Sequence, residues 1–185
     1  IICNSQNSAN IVAKFGAQAA AKTQVLHPGV DSDLFVPEQR NEKSLTSLNW
    51  INKRIVLTVG RLQARKGQDM MIKAIPEILK TVPNLLYAIV GDGEELDALV
   101  KLSAELKVDQ HIQFLRGITD EQMIECYQQC DLFILPNRTI DNDIEGFGMV
   151  LVEAQSCGKP VIAGDSGGTK ETMLLGESGV IIDAT

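Results

Sequence analysis

Short apolar runs recur along this chain at regular intervals, and most of them stop at glycine or proline. Residues 54–59 end at Gly60, residues 85–90 at Gly91-Asp92-Gly93, residues 111–115 lead into Arg116-Gly117, and residues 131–135 stop at Pro136. Residues 160–163 meet Gly164, and residues 179–182 form the last such run. Strand-length runs with so few polar interruptions predict a sheet buried on both faces, which is usually parallel.

Between these runs the spacing becomes helical. From 68 to 80, Met71, Ile72, Ile75, Ile78 and Leu79 recur at steps of three and four; from 94 to 107, Leu96, Leu99, Val100, Leu102 and Leu106 do much the same. The alternation predicts an α/β fold, a doubly wound, Rossmann-like parallel sheet with helices on both faces. Such sheets bind ligands in the crevice outside the carboxyl ends of their strands, where Gly60, Gly91, Gly93 and Gly117 cluster.

The first residues follow another pattern. Residues 1–4 read as a strand, 8–20 as a helix and 24–26 as a short strand before the turn at His27-Pro28-Gly29-Val30-Asp31. Residues 1–24 are therefore expected to be the tail of a preceding domain and its linker. Residues 25–185 are expected to be one domain, cut short where a helix should follow the last strand. The polar stretch 38–49 reads as a surface excursion.

Composition narrows the function classes. With 185 residues, 44% of them apolar and 22% charged, the chain can bury a sizeable core. A net charge of −7 argues against nucleic acid as a partner, since phosphate backbones need a basic face. No apolar run approaches the roughly 20 residues of a membrane-spanning helix, and Ile1-Ile2-Cys3 is too short for a signal peptide. The four cysteines form no CxxC pair, and Cys126 and Cys130 fall on one helical face. They read as buried, reduced thiols, which suits a cytoplasmic location.

Four segments carry candidate chemistry. In Val59-Gly60-Arg61-Leu62 followed by Arg65-Lys66-Gly67-Gln68, a glycine ends a strand and Arg61 and Lys66 follow just before a helix, where they could neutralise a diphosphate. It is not a Walker loop. Gly91-Asp92-Gly93 begins like a dinucleotide fingerprint, but Leu96 stands where the third glycine should be, and a plain tight turn is the simpler reading. In Glu145-Gly146-Phe147-Gly148-Met149-Val150, a Gly-Phe-Gly turn would leave the first amides of a helix uncovered and ready for an anion or sugar hydroxyls. Glu153 lies eight residues past Glu145 among apolar neighbours, so its carboxylate needs a partner, and ribose hydroxyls would supply two donors. The paired glycines Gly167-Gly168 either admit a ligand to the backbone or cap a helix. Asp141 and Asp143 lack a third ligand for a metal and read as a solvated loop. His27 and His111 read as structural.

In this order, the segments resemble the second domain of family-4 retaining glycosyltransferases of GT-B architecture. The resemblance rests on Gly-Arg-Leu followed by Lys-Gly, Gly-Asp-Gly, an Asp before an apolar strand ending in Pro, Glu-Gly-Phe-Gly, the second Glu, Cys-Gly-Lys-Pro-Val and Gly-Gly, from about Val25 to Ile182. The stretch from Arg138 to Thr169 is especially similar to bacterial mannosyltransferases that use GDP-mannose to extend phosphatidylinositol mannosides.

The resemblance implies a retaining transfer of a hexosyl group, mannose from GDP-mannose first among the options, from a nucleotide-sugar donor to a lipid or glycan acceptor. It implies that Arg61 and Lys66 hold the donor diphosphate and stabilise it as a leaving group, with Gly60 among the donor-binding residues. Glu153 would bind the ribose, and Gly117 and Ile118 would lie near the base. Glu145 would contact the transferred sugar without acting as a glycosidase-like nucleophile, and the backbone of Gly146, Phe147, Gly148, Met149 and Val150 would touch sugar and phosphates. The leaving phosphate would help deprotonate the acceptor on the same sugar face. The resemblance implies no bound metal and no cofactor, the nucleotide sugar being a substrate. It also implies a missing N-terminal acceptor domain, through which the full-length protein would associate peripherally with the inner membrane face. The chain alone is then expected to bind nucleotide but not to catalyse transfer efficiently. The rival readings are a dinucleotide-binding domain of a dehydrogenase, whose GxGxxG is absent at Gly60-Arg61-Leu62-Gln63, and a GT-B nucleotide-sugar epimerase.

Overall fold

The computed structural model describes residues 1–184. The chain opens with a two-stranded parallel sheet, β1 (Ile2–Cys3) beside β2 (Gln24–Val25), with helices α1 (Gln6–Ala13) and α2 (Ala17–Ala21) between them. After a short helix α3 (Glu42–Ser47), strands alternate with helices: β3 (Arg54–Val59), α4 (Gln68–Ile78), β4 (Leu85–Val90), α5 (Leu96–Glu105), β5 (Ile112–Leu115), α6 (Asp120–Gln129), β6 (Leu132–Leu135), α7 (Met149–Ser156), β7 (Val161–Gly164) and β8 (Gly179–Ile182). The six later strands form one parallel sheet in the order β5-β4-β3-β6-β7-β8.

The near-continuous apolar runs are explained by a core on each face. Along β3, Ile55, Leu57 and Val59 point into one cluster and Val56 into the other; along β4, Leu86, Ala88 and Val90 separate from Leu85, Tyr87 and Ile89 in the same way. Successive side chains alternate between faces, and here both faces are covered. Met71, Ile72 and Ile75 of α4 and Leu99 of α5 complete one cluster, while Tyr127 of α6 and Leu151 and Ala154 of α7 complete the other.

Several boundaries differ from the sequence reading. The helix expected over 8–20 is two helices. The first starts earlier, where the Ser5 side chain accepts from the Ser8 amide, and the break falls at Gly16, whose φ of 118° lies outside the helical region. The stretch 38–49 is not merely a surface excursion. It contains α3, and Leu48 with neighbouring Trp50 plugs the core, the indole N–H donating to Gln113 Oε1 at 2.7 Å. The α4 and α5 helices stop short of the expected limits, the latter just before Lys107, which adopts φ 56°. A capping box between Thr119 and Gln122 starts α6.

The strand order determines where a ligand crevice can open. The chain runs outward from β3 to β4 and β5, then returns to the other side of β3 for β6, β7 and β8. The carboxyl ends of β3 and β6 therefore flank the topological switch point, where sheets of this kind open a ligand crevice.

Candidate functional site

Beyond β3 a single turn of 3-10 helix, Ala64–Lys66, carries two cations, and Gly67 (φ 72°) turns the chain into α4. A Cβ at Gly67 would lie 1.8 Å from the Pro136 carbonyl oxygen, so this close crossing of the two loops at the switch point requires glycine. The crossing is reinforced by the Arg138 amide, which donates to the Arg65 carbonyl at 2.8 Å, and by Arg138 Nη1 pairing with Asp69 at 2.8 Å.

These contacts bring the β3 turn against the loop that precedes α7. Glu145 Oε2 accepts from Lys66 Nζ at 2.5 Å and from Arg65 Nη1 at 3.0 Å. The Lys66 and Glu145 side chains are only 12% and 11% exposed. Two cations against one buried carboxylate leave positive charge at the crevice. Asp143 formally balances it from the solvent side, 3.1 Å from Arg65 Nε, through an exposed carboxylate.

The loop itself presents backbone donors. Gly148 is the N-cap of α7 in a left-handed conformation (φ 99°), with no side chain to cap the helix. The backbone amides of Gly146, Phe147, Gly148, Met149 and Val150 donate to no described residue. Uncovered amides at a helix start, aligned with its dipole, suit an anion. The paired glycines behind the loop have a packing reason: a Cβ on Gly167 would lie 1.8 Å from the Glu145 carbonyl oxygen, and Gly168 N donates to that oxygen at 2.9 Å.

Four residues into α7, Glu153 is half-buried, and its Oε2 accepts from Tyr127 Oη at 2.7 Å. The Tyr127 ring is closed off from solvent, tilted against Phe133 (5.5 Å between centroids) and edge-on to Phe35 (5.8 Å). Burial, then the charge of Glu153, holds the phenol well above its ordinary pKa, so it remains a donor. One oxygen of Glu153 is thereby fixed, and the other has no partner among the described residues.

The remaining candidates divide. Arg61 is exposed and its side chain pairs with no described residue, whereas its carbonyl accepts from Gln68 Nε2. Gly60 follows β3 directly; Gly117 is exposed beyond β5, and Ile118 packs partly onto the core beside it. Arg65 and Tyr127 are the participants that the sequence reading passed over. Arg65 was legible as a third cation in the same turn, whereas nothing in the spacing marks Tyr127. The Gly91-Asp92-Gly93 turn is structural: the Asp92 carbonyl accepts from Leu62 N at 2.9 Å and its carboxylate pairs with Arg116 at 2.7 Å. All four cysteines are free and buried, and burial pushes Cys126 and Cys130 up to about 12 and Cys157 up to about 11. Among the described residues no group of His, Cys, Asp and Glu side chains gathers as a metal site. No described helix is long and apolar enough to cross a membrane.

Comparison with known proteins follows the same lines. A family model described as glycosyl transferases group 1 matches residues 41–185. A GDP-mannose-dependent alpha-(1-6)-phosphatidylinositol monomannoside mannosyltransferase of Mycolicibacterium smegmatis is 41% identical over 174 residues, covering 92% of this chain and 45% of that protein. Its counterpart from Mycobacterium tuberculosis is 35% identical over 183 residues, covering 97% of this chain and 47% of that protein. The chain thus spans about half the length of these curated relatives. Among solved structures, Anabaena Alr3699/HepE in complex with UDP-glucose superposes with a TM-score of 0.83 at 28% identity, over 98% of this chain and 49% of that one.

Proposed function

The chain belongs to the group 1 glycosyltransferases, and from that membership we propose that it is the donor-binding half of a retaining hexosyltransferase, with mannose carried by GDP as the donor and a lipid or glycan as the acceptor. The observation that carries this reading is the row of amides from Gly146 to Val150, without acceptors among the described residues, beside the Lys66–Glu145 pair at the switch point of the sheet. GDP-mannose is favoured because the relatives at 41% and 35% identity are GDP-mannose-dependent, against 28% for the protein solved with UDP-glucose.

In this reading Lys66 and the loop amides take the diphosphate, with Arg65 and the exposed Arg61 adding positive charge. They stabilise the charge that builds on the leaving phosphate when the bond to the sugar breaks. Glu153 offers its free oxygen to ribose. Glu145 acts as a fixed acceptor toward the sugar: pinned by two cations and nearly buried, it is poorly placed to be a nucleophile. The acceptor would be bound, and closure supplied, by a further domain of the full-length protein, which would also provide any peripheral membrane contact. The dehydrogenase reading finds no support in the family or in the β3 turn, which lacks the glycine pattern.

The test is calorimetric binding of GDP, UDP, ADP and NAD to this chain and to its Lys66→Ala and Glu153→Ala variants. Saturable binding of GDP that both substitutions weaken is expected. Binding of NAD alone overturns the reading, and preference for UDP overturns its choice of base.

A further inference from the structure

Phe147 is buried at the centre of the Glu145–Gly148 loop, yet it belongs to neither apolar cluster flanking the sheet. Its ring is stacked on His27, with centroids 5.3 Å apart and planes inclined by 22°. His27 Nε2 donates to Glu171 Oε2 at 3.0 Å, and the same carboxylate accepts from the amides of Gln6 and Asn7 at the start of α1. The neighbouring chain presses on the loop as well. A Cβ on Gly146 would lie 3.3 Å from Asn4 Nδ2, and one on Gly168 would lie 2.8 Å from Ser5 Cβ. Asn4, Ser5 and His27, all outside the six-stranded sheet, thus pack behind the loop, and Glu171 ties His27 to residues 6 and 7.

We propose that His27 is a positioning residue for the donor loop. Its ring holds Phe147, and Phe147 holds the amides of Gly146–Val150 in the arrangement that receives an anion. A loop flanked by two glycines, with no capping side chain, has many conformations open to it, so a single aromatic anchor has much to restrict. Glu171 is the anchor of that anchor, joining α1 and the His27 turn at one carboxylate. Movement of residues 1–27 against the sheet is therefore transmitted to the loop through the ring contact as well as through the close packing of Asn4 and Ser5, which links donor affinity to the seating of the segment before the domain. The inference rests on the donor-site reading above.

The experiment compares the chain with its His27→Ala, His27→Phe and Lys66→Ala variants. Two readouts are used: backbone ¹⁵N relaxation of residues 146–150, and binding of GDP and of inorganic pyrophosphate. His27→Ala should lower the order of these amides and weaken both ligands about tenfold, on the scale of an aromatic pair. His27→Phe, which keeps the ring and loses the bond to Glu171, should restore most of both. Unchanged loop order in His27→Ala overturns the proposal, as does a loosened loop with unchanged affinity when Lys66→Ala does weaken binding. If neither His27→Ala nor Lys66→Ala alters affinity while the loop loosens, the donor-site reading fails and the mechanical coupling stands.

Discussion

Tyr127 Oη donates to Glu153 Oε2 at 2.7 Å from a ring that has no exposure to solvent. The bond orients a carboxylate whose other oxygen has no partner among the described residues, so Tyr127 would act on a ligand of Glu153 without meeting it.

Tyr127→Phe keeps the ring packing and deletes one hydrogen bond to a charged acceptor, a change of about 1.5–3 kcal/mol in such bonds. GDP affinity should fall about tenfold or more, while pyrophosphate affinity, which involves no ribose, should not change. The preference for GDP over 2′-deoxy-GDP should shrink in the variant. Calorimetry with the three ligands checks all of this, and equal losses for GDP and pyrophosphate would show that Tyr127 acts on the whole site.

Arg61 and Arg65 should separate in their effects. Arg65→Ala removes a partner of the buried Glu145 and should lower both folding stability and GDP affinity. Arg61→Ala touches an exposed side chain without a described partner, so stability should stay within about 0.5 kcal/mol. Any loss of GDP affinity in Arg61→Ala then reports a direct contact with the ligand. Urea denaturation beside calorimetry distinguishes the two arginines.

Gly67→Ala should be among the most damaging single substitutions. The residue has φ 72°, and the added Cβ would sit 1.8 Å from a backbone oxygen that cannot move independently. A loss of more than about 3 kcal/mol is expected from strain and clash together. Gly176→Ala, with φ 81° but open space around it, should cost only about 1–2 kcal/mol. Urea midpoints of the two variants provide the comparison.

Acid should loosen the Glu171 junction. Burial raises this carboxyl, but the Gln6 and Asn7 amides and His27 outweigh it and hold the group below its ordinary value of 4.5. A depressed folded-state value means that the stabilisation is fully present above the unfolded value and is lost as pH falls through the folded one. Glu171→Gln should therefore be less stable than the parent at pH 7, and the gap should close as pH falls below the ordinary carboxyl value of 4.5. Urea midpoints across that range measure it; a constant gap would place the effect elsewhere.

The parallel sheet was legible in the sequence because burial on both faces demands near-continuous apolar strands, and residues 54–59 and 85–90 could hardly be anything else. Glu145-Gly146-Phe147-Gly148 was legible for a similar reason: glycines before an apolar helix leave its first amides bare whatever surrounds them. A local signal misled where a tertiary contact overrode it, in the polar stretch 38–49, whose Leu48 fills a place in the core, whereas the helix expected over 8–20 breaks for a local reason, the φ of 118° at Gly16. Tertiary structure alone decided the partners. Lys66 and Glu145 are 79 positions apart, Tyr127 and Glu153 are 26, and Gln6 and Glu171 are 165. Periodicity reports which face of an element is buried, but a pair across elements depends on strand order and on how closely loops can cross. Here the return of the chain from β5 to β6 and the bare backbone at Gly67 made that choice.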